Sequence, residues 1–345
     1  MFTRISAAAI AVAAVALGAT SPALAQSRDQ IRIVGSSTVY PFTSAVAEAF
    51  GRAGNKTPVV ESTGTGGGLK LFCAGVGAQH PDIANASRRI KASEVENCAA
   101  NGVTAITELK IGFDGIVVAS SKAAAHTNFT LEQIFRGLAK DVPVGGKMAA
   151  NPARKWSDVD KTLPGKEIEV LGPPPTSGTR DSFNELAMEG GCKKVADLAT
   201  AIPDEKVRAK ACMAIREDGA YIEAGENDNL IVQKLVANKD AFGVFGFSFY
   251  EQNSDKIQVA KIDGIEPTVD TISSGKYPIA RAMYVYVKNA HVGVVPGIRE
   301  FLGEYTADKA MGPDGYLADK GLVPLPDKER AEMRANVVNL TPLKL

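Results

Sequence analysis

A chain of 345 residues with 39 Lys and Arg against 39 Asp and Glu, 45% hydrophobic and 23% charged, has the profile of a soluble globular protein of about two domains. Its zero net charge gives nucleic acid or an anionic membrane no electrostatic foothold, and its apolar content excludes low-complexity disorder.

Residues 1–25 read as a cleavable signal peptide. Arg4 supplies a positive start, an Ala- and Val-rich run follows from Ile5 to Gly18, and Ala23-Leu24-Ala25 is a small-x-small cleavage pattern. The apolar run is too short to cross a bilayer, and the absence of a Cys at the cleavage point argues against a lipid anchor. The mature chain is expected to begin at Gln26 and to be exported. In an oxidising compartment Cys73 with Cys98, and Cys192 with Cys212, are expected as two local disulfides, since neither pair has the C-x-x-C spacing of a zinc or redox motif.

The mature chain opens on three units of one design. Ile31 to Val34 reads as a strand, Gly35-Ser-Ser-Thr38 as a turn, and Val39, Phe42, Val46 and Phe50 recur at helical spacing. Thr57-Pro-Val-Val-Glu61 is a second strand, followed by Ser62 to Gly68 and a helix from Leu69. Asp82 to Ala86 is a third strand, ending at Ser87-Arg88-Arg89. Strand, polar turn, helix, repeated, argues for an α/β fold with a mostly parallel sheet, whose ligands gather at the carboxyl ends of the strands.

Farther on, Ile111 to Val118 reads as a long strand, and Thr130-Leu-Glu-Gln133 as a capping box opening a helix. Glu167 to Leu171 is a strand that runs into Gly172 to Thr179, with helix from Phe183 to Met188. Asn227-Asp228 caps a helix over Leu230 to Val236, Ala241 to Gly246 is a buried strand, and Ile279 to Val287 another; helices follow at Ile298 to Tyr305 and Lys328 to Ala335. No linker of low complexity is visible, which favours two lobes joined by crossing strands.

Gly35-Ser-Ser-Thr38, Gly64-Thr-Gly-Gly-Gly68 and Thr176-Ser-Gly-Thr179 each join a strand to a helix start. Free amides, the helix dipole and Ser and Thr hydroxyls favour an anion there, although any one such segment is equally a plain helix cap. Three together suggest one anion held between several helix ends. Leu69 spoils both the P-loop and the G-x-G-x-x-G pattern, so a nucleotide is not indicated. His80, His126 and His291 have no metal-binding spacing and Ser177 no nucleophile-elbow frame, so they read as surface or structural, and Trp156 as packing.

The sequence resembles the periplasmic phosphate-binding proteins of the phosphate ABC importer, the PstS type, over nearly the whole mature chain. The resemblance rests on Gly35-Ser-Ser-Thr-Val-Tyr-Pro41, Gly64-Thr-Gly-Gly-Gly68, Asp82-Ile-Ala-Asn-Ala-Ser-Arg88, Asp114-Gly-Ile-Val-Val118, Pro175-Thr-Ser-Gly-Thr-Arg180 and Gly243-Val-Phe-Gly-Phe247. It implies a two-lobed solute-binding fold of type II, with two mixed sheets flanked by helices and a hinge of crossing strands. It also implies inorganic phosphate as ligand and a membrane permease as partner. The matching ligand positions are Ser37, Thr38, Thr65, Ser177, Gly178 and Thr179. This chain departs from the family where Arg88 replaces an acidic residue that takes the phosphate proton, and where Pro173 replaces an arginine. Arg88 and Arg180 are then the candidate cations and Asp114 the candidate acceptor. Either arginine has an alternative partner in a carboxylate such as Asp181, and Asp114 an alternative role as a turn-stabilising acid near the hinge.

The expectation is a monomeric periplasmic binding protein, with no enzymatic activity, cofactor, metal or nucleic-acid partner. Its lobes are residues 27–112 with 279–345, and 113–278. The alternatives are a binder of another oxyanion or a phosphate ester, and a secreted phosphatase-like hydrolase, against which the missing nucleophile–base pair and metal ligands count.

Overall fold

The computed structural model describes residues 28–345 apart from 176, 226 and 227. The signal peptide, the start at Gln26, and Thr176 and Asn227 of the loop and cap readings lie outside the described residues.

The three opening units form as the sequence indicates. Strand β1 (Arg32–Gly35) leads to helix α1 (Tyr40–Arg52), β2 (Val59–Ser62) to α2 (Thr65–Phe72), and β3 (Ile83–Ala86) to α3 (Ala92–Ala100). β1 lies between β2 and β3, parallel to both. Close approach explains the glycines at this end of the sheet. A Cβ on Gly35, which sits at φ 134°, would lie 2.1 Å from the Asn85 carbonyl oxygen, and one on Gly68 of α2 would lie 2.3 Å from the Gly35 Cα. Only glycine lets α2 settle onto the end of β1. α1 buries Phe42, Val46 and Phe50, and the Phe50 ring meets Phe301 edge-on at 5.7 Å.

β4 (Ile106–Ser121) is the longest strand, extending the 111–118 reading at both ends, and it is buried along nearly all its length. Five more strands complete the sheet: β5 (Val170–Gly172), β6 (Tyr221–Glu223), β7 (Phe242–Gly246), β8 (Ile257–Val259) and β9 (Ala280–Lys288). The order is β2-β1-β3-β9-β4-β7-β5-β6, with β8 also on β4. β4 changes partner midway: Ile106 to Gly115 pair antiparallel with β9, whereas Ile116 to Ser120 pair antiparallel with β7. The result is two sheet halves, each mixing parallel and antiparallel pairs, that share one continuous strand. The chain crosses between them once along β4 and returns where the Ile116 amide donates to the Ile279 carbonyl at 2.9 Å. This is the two-lobed arrangement with crossing strands.

In the second lobe the Thr130 capping box opens helix α4 (Leu131–Leu138), with the Thr130 hydroxyl accepting from the Gln133 amide. Phe129, Trp156 and Phe242 pack together beneath it, with ring centroids 4.7 to 5.8 Å apart, so Trp156 is core. The helix expected over 183–188 begins earlier, as α5 (Gly178–Phe183), and continues through a π-helical turn (Asn184–Met188) into Glu189–Cys192. His291 is buried, with Nδ1 2.6 Å from an Asp82 carboxylate oxygen and Nε2 accepting from the Gly77 amide. No helix among the described residues is long and apolar enough to cross a membrane.

Both cysteine pairs are joined: Cys73–Cys98 ties the end of α2 to α3, and Cys192–Cys212 pins two helical segments of the second lobe. Each closes a loop of 20 to 25 residues, for which chain entropy gives about 3 kcal/mol. The double variant Cys192→Ser/Cys212→Ser is expected to lose about that much in urea unfolding. A loss near zero would show that this loop is already restrained in the unfolded chain.

Candidate functional site

The site is built where the carboxyl ends of β1 and β5 meet across the cleft. β1 runs into Ser36-Ser37-Thr38, held by the Ser36 amide donating to the Asn85 carbonyl and by the Tyr40 amide donating back to Ser36, both at 3.0 Å. β5 delivers Pro173, and farther on Ser177 caps α5 by accepting from the Thr179 amide at 3.2 Å. The two helix starts face each other closely. An ideal Cβ on Gly178 would sit 3.1 Å from both the Ser37 carbonyl oxygen and the Thr38 Cα. The Ser37 hydroxyl donates to Asp181 Oδ2 at 2.5 Å, bridging the lobes.

A cavity of about 540 Å³ opens between them, lined by Ser37, Thr38, Asp114, Ser177, Gly178 and Thr179, with Tyr40, Phe249 and Lys320 toward its rim. Those six polar and glycine positions are the part of the expected ligand set that the fold brings together. Hydroxyls and the positive ends of two helices border one space, which suits an anion.

Three expected ligands lie elsewhere. Thr65 accepts from the Ser87 amide at 3.1 Å and shares a hydrogen bond with the Ser87 hydroxyl at 3.0 Å, beside α2 and outside the cavity lining. Arg88 makes a two-pronged pair with Glu94, at 2.9 and 2.8 Å, because α3 starts just beyond it and returns that carboxylate to its side. Arg180 is buried behind the loop rather than in front of it. Its guanidinium lies 4.3 Å over the Tyr221 ring, donates to the Pro173 carbonyl at 3.0 Å, and is 3.8 Å from Glu223. There it holds the Pro173 carbonyl at the end of β5. Asp181, the alternative partner for these arginines, is taken by Ser37.

Behind Thr38 and Asp114, and itself outside the cavity lining, stands a charged group the sequence reading did not single out. Arg281, on β9, stands in register with Asp114 on β4. It donates to Thr38 Oγ1 and Ser182 Oγ, each at 2.6 Å, and pairs with the Glu185 carboxylate. The Ser182 hydroxyl donates to Asp114 Oδ2 at 2.6 Å. Burial pushes the Asp114 carboxyl above its ordinary value, while Arg281 and the Ser182 hydroxyl pull the other way and Glu185 adds to the rise. The available signal was an arginine at the head of a strand with no other charged residue before Lys288, and a serine one helical turn beyond Gly178.

Residues 20–309 match the family model described as the PBP superfamily domain. The chain is 33% identical over 302 residues to Protein SphX of Synechococcus elongatus, covering 85% of this chain and 77% of that protein. It is 30% identical over 300 residues to the phosphate-binding protein PstS of Staphylococcus haemolyticus, covering 85% of this chain and 80% of that one. Among solved structures it matches a possible phosphate binding protein from Planctomyces limnophilus with a TM-score of 0.72 and 27% identity, over 90% of this chain and 98% of that one. PstS from Borrelia burgdorferi, at a TM-score of 0.57 and 18% identity over 87% of this chain and 100% of that one, shares the fold. Matched by the family model and by these relatives over most of its length, the chain belongs to the PBP superfamily.

Proposed function

We propose that this protein is an exported, monomeric binding protein that captures inorganic phosphate in the interlobe cleft and hands it to an ABC import permease, without turning it over. The observation that carries this reading is the convergence of two hydroxyl-bearing helix starts, one from each lobe, on a single cavity. The names of the PstS relatives give the same oxyanion. The working lobes are residues 27–112 with 279–345, and 113–278. The change of partner along β4 between Gly115 and Ile116 supports a hinge there.

In this reading the amides at the start of α5 and the hydroxyls of Thr38, Ser177 and Thr179 replace the water shell of the anion. Charge-assisted hydrogen bonds in a dry cleft offset the cost of dehydrating it. Asp114, as the ionised carboxylate, accepts the hydrogen bond of the ligand's P–OH. Lobe closure buries the ligand, and the permease reads the closed shape. A phosphate ester is the second reading, because the cavity continues past the oxyanion position toward Tyr40 and Phe249.

A calorimetric screen of phosphate, sulfate, phosphonates and phosphate monoesters tests the proposal, with phosphate expected to bind tightest. Ser177→Ala should weaken phosphate binding by about ten- to a hundredfold, the worth of a hydrogen bond to a charged group. Thr65→Ala should change it less than about threefold, within a few tenths of a kcal/mol of wild type, since that hydroxyl is engaged by Ser87. Equal losses from both, or none from Ser177→Ala, would move the site away from α5.

A further inference from the structure

Arg88 and Arg180 are both engaged outside the cavity, and Lys320 lies at its exposed rim. Arg281 also stands outside the lining, but its guanidinium donates to Thr38, which is part of it. The Arg281 side chain is 9% exposed, and its Nε, 3.8 Å from Asp114 Oδ2, is buried without a hydrogen bond among the described residues. Thr38 belongs to the first lobe, while Ser182 and Glu185 belong to the helical run that starts at Gly178 in the second. One side chain on the returning hinge strand therefore grips both lobes at once.

Its contacts also set which way the hydroxyls point. Thr38 Oγ1 accepts from Arg281, which leaves its own proton to be given either to Ser182 Oγ, 3.4 Å away, or into the cavity that Thr38 lines. Ser182 accepts from the same nitrogen and donates to Asp114 at 2.6 Å, with the Gly178 carbonyl oxygen a second acceptor at 3.0 Å. The remaining arm of the fork is held by Glu185, whose side chain is 50% exposed. An exposed carboxylate exchanges its ion pair for water at little cost, so it is a weak competitor for a guanidinium.

We propose that Arg281 is the affinity-determining cation of this site: it fixes Thr38 as a donor, supplies positive charge to the oxyanion, and is held by Glu185 until the anion displaces that carboxylate. The inference rests on the phosphate reading of the cleft. It makes two opposite expectations. Losing the guanidinium removes charge from the anion, whereas losing the Glu185 charge removes a competitor and a repulsion.

The test is calorimetry of wild type, Arg281→Gln, Arg281→Lys and Glu185→Gln with inorganic phosphate, alongside ligand-free melting. Arg281→Gln is expected to bind at least tenfold more weakly. Arg281→Lys should fall between the two, because a single ammonium cannot reproduce the planar fork. Glu185→Gln should bind several-fold more tightly. If Arg281→Gln does not fold, Arg281→Lys and Glu185→Gln carry the same signs. Phosphate affinity unmoved in the arginine variants, or weakened in Glu185→Gln as in Arg281→Gln, would reduce the pair to a structural ion pair and overturn the inference alone. A wild-type protein that takes up no phosphate would overturn the reading of the cleft and the inference with it.

Discussion

Gly178→Val is expected to lower phosphate affinity at least a hundredfold while leaving the fold and its melting temperature nearly unchanged. The reason is geometric. Even a methyl group on Gly178 would come within 3.1 Å of the Ser37 carbonyl oxygen and the Thr38 Cα, both main-chain atoms of the opposite lobe. A valine adds two further carbons, and main chain cannot swing aside as a long side chain does. With the lobes apart the same side chain meets solvent, so the cost falls on the closed state alone. A penalty of about 3 kcal/mol on closure, the upper end of the usual overpacking range and fitting for a clash with main chain, is a hundredfold in apparent affinity. Solution scattering read beside the calorimetry should show the variant keeping its ligand-free radius of gyration when phosphate is added. A variant that contracts and binds like wild type would show that the α1 and α5 starts do not meet in the bound form.

Asp114→Asn is expected to weaken phosphate binding by about ten- to a hundredfold and to let sulfate in, because an amide no longer offers a pure acceptor to the ligand's proton. The same substitution has a second readout without ligand. Burial raises the Asp114 carboxyl above its ordinary 3.8, the Arg281 charge and the Ser182 hydrogen bond opposing it. The folded protein therefore keeps a proton there at a pH where the unfolded chain has lost it. Such a group makes stability fall as pH rises above 3.8, until the folded carboxyl has also ionised. Asp114→Asn should remove that contribution, so the stability difference between variant and wild type should shift in favour of the variant across this interval. A pH-independent difference, with sulfate still excluded, would make Asp114 a structural acid of the hinge.

Much of the fold was legible because its signals are local. The three opening units announce themselves by a short apolar strand, small polar residues and a helical repeat. The cysteine pairs are close enough in sequence, in a chain read as exported, to bridge locally. The hydroxyl segments at Ser37-Thr38 and Ser177–Thr179 were legible for the same reason, since a strand end followed by a helix start places them on the cleft. The roles of Arg281 and Arg180 escaped because they depend on contacts between distant parts of the chain. Arg281 acquires its role by standing opposite Asp114 in a strand pair, and no spacing along the sequence reports that register. Arg180 looked free beside Ser177, yet β6 brings Tyr221 beneath it and a buried ring and carbonyl take the charge. Arg88 is the instructive case, because Glu94 sits six residues on, at the third position of α3, and its carboxylate also accepts from the Lys91 amide. Local capping chemistry held the arginine at home. The π-helical turn after Phe183 left no periodic mark that separates it from an ordinary helix.

A crystal structure of the protein grown with phosphate tests the central claim most directly. The anion is expected between the lobes, within hydrogen-bonding distance of Thr38 Oγ1 and the amides of Gly178 and Thr179, with Arg281 turned from Glu185 toward it. Phosphate bound beside Thr65 and Arg88, with the cleft between Thr38 and Gly178 holding none, would contradict this account.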